Sequence, residues 1–187
     1  VQVVVVLLIL ASGLTVQIGQ GFHHFELGLY FRELFLNRLT SLWILCVLAM
    51  FVQTIVNNKY LGHFVMVLYI IATLSLPQAG FQDHLYRFGQ SPQVTYSDIN
   101  GYGPFLQPLI WFRLYWGVAA VLLAIITNLL WVRGTESGGR VRMSLAAARF
   151  TRTSAAGVFG CVVLMAGVGG YIFYNTHILN PYRTTFT

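Results

Sequence analysis

"PLIWFRLYWGVAAVLLAIITNLLWV", residues 108–132, decides the fold class of this chain. Arg113 is its one charged side chain, and apart from Thr127 and Asn128 the rest is aliphatic, aromatic or small. A helix crosses the roughly 30 Å hydrocarbon core of a bilayer with about 20 such residues, each rising 1.5 Å. A lipid-exposed strand would need period-two alternation and a closed barrel, and the stretch shows no alternation. The reading is a membrane-spanning helix.

Four further runs read the same way. Upstream lie residues 1–19, "LTSLWILCVLAMFVQTIV" (39–56) and "LGHFVMVLYIIATLSLPQAG" (61–80), where Pro77 is expected to kink or end the helix. Downstream lies "SAAGVFGCVVLMAGVGGYIFY" (154–174). There the pairs Ala156/Gly160 and Ala166/Gly170 have the four-residue spacing that lets helices approach closely in lipid. The predicted architecture is all-α: about five transmembrane helices plus an amphipathic interfacial helix, spread over residues 1–187 as a fragment of a longer protein. Both ends read as cut.

Composition agrees. The chain is 57% hydrophobic and 9% charged, against about 25% charged residues in soluble domains. A globular core of 187 residues has no room for that much apolar surface, so much of it is expected to face lipid. The net charge of +6 is not a nucleic-acid signature, because the basic residues flank apolar spans rather than interleave with stacking aromatics. Cys46 and Cys161 lie inside apolar runs without metal-ligand spacing and read as small buried hydrophobes.

Five of the eleven basic residues, Arg133, Arg140, Arg142, Arg149 and Arg152, crowd into residues 133–154. Basic residues accumulate in cytoplasmic loops, so 133–153 is predicted to be a cytoplasmic basic loop. Counting spans outward puts 81–107 outside, "NNKY" (57–60) in the cytoplasm and the tail from 175 outside. Arg32 and Arg38 fall on the nominal outer side and weaken this count.

Among candidate functional residues, Glu26, Tyr30, Glu33 and Asn37 share one stripe of a helix drawn through "FHHFELGLYFRELFLNRL" (22–39). Carboxylates at membrane depth usually face a cavity or a basic partner, and Arg113 is the candidate partner for Glu26 and Glu33, as a gate or as a structural bridge. His63, at the start of the third span, reads as an interfacial anchor or a proton relay. His23 and His24 lack the spacing of a helical zinc site. Asp83, His84 and Asp98 lie in the long 81–107 segment, where capping and turn formation compete with acid–base chemistry. No phosphate-binding loop of the Gly-x-x-x-x-Gly-Lys type, no H-E-x-x-H and no serine elbow occurs, so no catalytic, cofactor or metal residues are assigned.

The stretches "HFELGLYFRELF", "NNKYLGHFVMVLY", "VTYSDINGYGPFL", "WFRLYWG", "LLWVRGTESG" and "IFYNTHILNPYRT" together resemble the membrane part of bacterial proteins that join an ABC-2-type permease to a zinc aminopeptidase domain. The resemblance covers nearly all of residues 20–187. It implies a multi-pass chain of the bacterial cytoplasmic membrane, partnered by an ABC ATPase and by the other half of the permease. ATP would act through that partner, and zinc would belong to a peptidase domain this sequence does not contain. Two other readings stand beside it. One is a membrane anchor that presents a peptidase without transport. The other is an intramembrane enzyme using His63 or Asp83/His84, for which the sequence offers no facing catalytic group.

Overall fold

The computed structural model describes residues 1–21, 25, 27–56, 58–79, 83–92, 106–132 and 139–179. Every regular element among them is helical. In chain order these are α1 (Gln2–Gly19), α2 (Leu27–Phe31), a π-helical segment (Arg32–Leu39), α3 (Thr40–Val56), α4 (Lys59–Ser75), a 3-10 turn (His84–Tyr86), α5 (Leu106–Leu130), α6 (Gly139–Arg149) and α7 (Arg152–Phe173), with a closing π turn (Tyr174–Leu179).

Among the described residues, four stretches are long and apolar enough to cross a membrane: Gln2–Gly19, Leu27–Val56, Leu106–Leu130 and Arg152–Leu179. The third predicted span, 61–80, becomes the 17-residue α4, which stops at Ser75. Pro77 explains the stop, since it has no N–H to donate to the carbonyl four residues back, while Leu76 before it keeps helical backbone at φ −54, ψ −42. The interfacial helix expected over 22–39 lies partly outside the described residues. Its described part, from Leu27, runs through the polar π segment into the apolar α3 as one helical stretch to Val56. The basic "loop" 133–153 also differs, because α6 occupies its centre. Ala146, Ala147 and Ala148 with Leu145 and Met143 are strong helix formers, and they outweigh the expectation set by the arginines.

The chain divides into two compact units, residues 1–46 and 47–187. In the first, the Gln17 amide donates to the Tyr30 hydroxyl. The Gln2 amide reaches the Leu42 carbonyl and the Cys46 sulfur. These pairings run α1 antiparallel to residues 30–46 and bury Val6, Leu39 and Ile44. Val4, Leu8, Ile9, Val16 and Ile18 of α1 stay exposed, as expected of a helix solvated by lipid rather than by water.

The second unit is organised by α5 against α7. Phe112, Trp116, Ala119 and Ala120 of α5 are buried with Cys161 and Ile172 of α7. Trp111 and Tyr171 pack with ring centroids 4.6 Å apart. Close approach is real, but different glycines provide it. A Cβ on Gly169 would stand 2.9 Å from the Tyr115 ring and one on Gly157 3.3 Å from Ile125, whereas Gly160 and Gly170 have nothing within 4 Å. Gly157, Cys161, Met165 and Gly169 form one i+4 ridge, the row that fits a neighbour's groove. Both cysteines are free, Cys161 buried and Cys46 exposed.

Hydroxyls inside the helices are satisfied locally. Thr54, Thr73 and Thr127 are buried, and each donates to the carbonyl four residues back, at 2.8, 2.8 and 2.7 Å. Where no water is available, this meets the requirement that every buried polar group find a partner.

Candidate functional site

Two polar clusters stand at opposite ends of α5. The first is built by α6. Residues 142 and 149 lie seven positions apart on α6, two turns along one face. The Arg142 Nη1 donates to the Thr54 carbonyl, in the last turn of α3. The Arg149 Nη1 donates to the Trp131 carbonyl, just past the end of α5. The last carbonyls of a helix have no intrahelical donor and carry the negative end of its dipole, so a guanidinium there meets both a hydrogen-bond need and an electrostatic one. The α6 rod ends because Thr151 caps α7: its hydroxyl accepts from the Ser154 N–H at 3.3 Å while its own N–H donates to the Ser154 hydroxyl at 3.1 Å. Arg152 is exposed in the first turn of α7.

The turn between α3 and α4 sits at this same end. Asn58 caps α4, accepting from the Tyr60 and Leu61 N–H groups. His63 lies 3.1 Å from the Gln53 side chain, a hydrogen bond in which the amide donates when the ring carries its proton on Nε2. A Cβ on Gly62 would meet the amide end of the flexible Gln53 side chain at 2.5 Å, so a larger residue there would displace that amide from His63. His63 is thus an exposed partner of Gln53 at the hairpin mouth. Between the C-terminal parts of α3 and α5 opens a cleft of ≈ 320 Å³ lined by Val47, Met50, Ala124, Thr127, Asn128 and Trp131.

The opposite cluster joins the 83–92 segment to α4, α5 and the end of α7. Asp83 is 7% exposed. Its carboxylate accepts from the Leu85 N–H at 2.9 Å and lies 3.4 Å from Nε2 of His177 in the closing π turn. The Nδ1 of His177 is 2.9 Å from the Thr176 hydroxyl, and its ring stacks on Phe173 at 4.2 Å. Tyr69 of α4 donates to the Phe88 carbonyl at 2.6 Å. The Phe88 ring meets Trp116 edge-on at 5.0 Å, and His84 meets Phe112 at 5.8 Å. Gly89 turns the chain with φ 74, a left-handed conformation that favours glycine. Burial pushes the His84 ring below its ordinary pKa and the Arg87 guanidinium adds to this, while Asp83 opposes both.

The residues singled out from sequence fall as follows. Glu33 accepts from the Asn37 amide at 3.0 Å within the π segment, so the predicted polar stripe holds for that pair. Glu33 belongs to residues 1–46 and Arg113 to the other unit, on α5. Arg142 and Arg149 act together through α6. Arg140 opens that helix, while Glu26, His23, His24, Asp98 and Arg133 lie outside the described residues. Sequence reasoning missed His177, the partner of Asp83, because the two are far apart in the chain and only the fold brings them together. The described residues contain no cluster of three or more metal-ligating side chains.

No family model, curated protein or solved structure matches the chain.

Proposed function

We propose that this chain is a membrane-spanning part of an ABC-2-type permease in the bacterial cytoplasmic membrane, with α6 as the element that receives the stroke of a partner ATPase. One observation carries the reading. Arg142 and Arg149, on one short helix, hold the ends of two different apolar helices, α3 and α5. A displacement of α6 is therefore delivered to both at once, and the cleft between them is what such a displacement would change. The exposed apolar surface of α1, α4 and α7 supports a lipid environment, and the strongly basic 133–154 strip supports a cytoplasmic place for α6. The resemblance adds an attached extracytoplasmic aminopeptidase and the other permease half as partners.

The test is a photo-crosslinking amino acid at Met143, which is 69% exposed on α6. In cells expressing the intact transporter, peptide sequencing of the crosslinked product is expected to return an ABC ATPase. Arg142→Gln combined with Arg149→Gln is expected to lower ATP hydrolysis by the purified complex while leaving its composition unchanged. If the protein purifies without any ATPase and the crosslinker captures lipid alone, the anchor reading replaces this one.

A further inference from the structure

The cleft between α3 and α5 is graded in polarity along its length. Val47, Met50 and Ala124 form its apolar part, and Thr127 presents little polarity because its hydroxyl donates to the Leu123 carbonyl. Asn128 lines the cleft next, exposed and without a hydrogen-bond partner among the described residues. Trp131 follows, and its carbonyl is the acceptor for Arg149. From Ala124 to Trp131 the helical rise is about 10 Å. On the α3 side the order is the same, since Val47, Met50 and Thr54 follow an i, i+3, i+7 row and Thr54 is the acceptor for Arg142.

Two donors at the polar end are incompletely used. The Nε of Arg142 is buried with no partner among the described residues. Arg149 is exposed and has one acceptor among the described residues for its five N–H groups. No acidic residue occurs between positions 139 and 156. An apolar trough, then a lone amide, then an indole, then guanidinium groups is the depth profile of a phospholipid: acyl chain, ester carbonyls, interface, phosphate.

We propose that this cleft holds one anionic phospholipid, with an acyl chain along Val47, Met50 and Ala124, an ester carbonyl accepting from the Asn128 amide, and the headgroup phosphate against Arg142 and Arg149. The inference requires a bilayer but not the permease reading, because an anchor would bind the same lipid.

The experiment is native mass spectrometry of the detergent-purified protein, titrated with phosphatidylglycerol or phosphatidylcholine of identical acyl chains. One phosphatidylglycerol is expected to be retained per chain in preference to phosphatidylcholine. Arg149→Gln is expected to weaken retention by about fivefold, as for loss of one basic residue at an anionic surface. Ala124→Leu, at an exposed position that leaves every charge in place, is expected to expel the lipid while the protein still elutes as a single species. Equal retention of the two lipids, unchanged retention in Ala124→Leu, or full displacement of the lipid by millimolar inorganic phosphate would each overturn the proposal. The last outcome would leave a site for the free ion only.

Discussion

The two ends of α5 are held by different chemistries. At its C-terminal end, guanidinium groups from α6 grip main-chain carbonyls. At its N-terminal end, aromatic edges, a tyrosine hydroxyl and an Asp83–His177 pair dock the 83–92 segment. Arginine stays charged at any physiological pH, whereas histidine changes charge within it. The comparison teaches that one end is a permanent fastening and the other a conditional one.

The largest effect should come from the aromatic end. Phe112→Ala removes a 2% exposed ring from the buried face of α5 and takes away the ring that His84 meets. A loss of about 3–5 kcal/mol is expected. Denaturation in detergent, followed by near-ultraviolet circular dichroism, measures it. A change within experimental error would mean that the buried face of α5 around Phe112 does not hold the fold.

A smaller effect is expected at the arginine end. Arg142→Gln gives up a charge-assisted bond to the Thr54 carbonyl, worth about 1.5–3 kcal/mol. Hydrogen exchange should rise at the last turn of α3 and stay unchanged in residues 83–92. Exchange rising equally at both ends would erase the distinction drawn between them.

The smallest effect is the response to acid. The folded His84 ring holds its proton less tightly than its ordinary value of 6.5 implies, chiefly through burial. Unfolding or undocking therefore takes up a proton as pH falls through that value. The contribution of His84 is fully present above 6.5, declines below it, and levels off beneath the depressed pKa. Exchange of the 83–92 amides is expected to rise between neutral and mildly acidic pH in the wild-type protein, and His84→Gln should flatten that rise. No pH dependence is expected at the α6 end, so a matching response there would break the comparison.

Much of the architecture was readable from the sequence. An apolar run long enough to cross hydrocarbon is a strong signal, and Pro77 marks the end of α4 by the N–H it lacks. The α6 helix was harder, because its arginines were read as markers of sidedness. The seven-residue spacing of Arg142 and Arg149 was the available clue to a helix with one basic face. The close-packed glycines were also misassigned: Ala156/Gly160 and Ala166/Gly170 fit the spacing rule, yet which face of α7 meets α5 is set by the partner's side chains, Tyr115 and Ile125. Neither Arg142 with Thr54, 88 positions apart, nor Asp83 with His177 could be paired from one sequence, because long-range proximity leaves no local periodic trace.

The inward-turned hydroxyls of Thr54, Thr73 and Thr127 carry a last consequence. A threonine whose proton is committed to its own backbone shows its neighbours a methyl group and little else, so it resembles valine in outward character. Counting hydroxyl residues along these rods therefore overstates how wet the bundle is. The wettable positions are the few, such as Asn128, whose side chains have no such inward outlet.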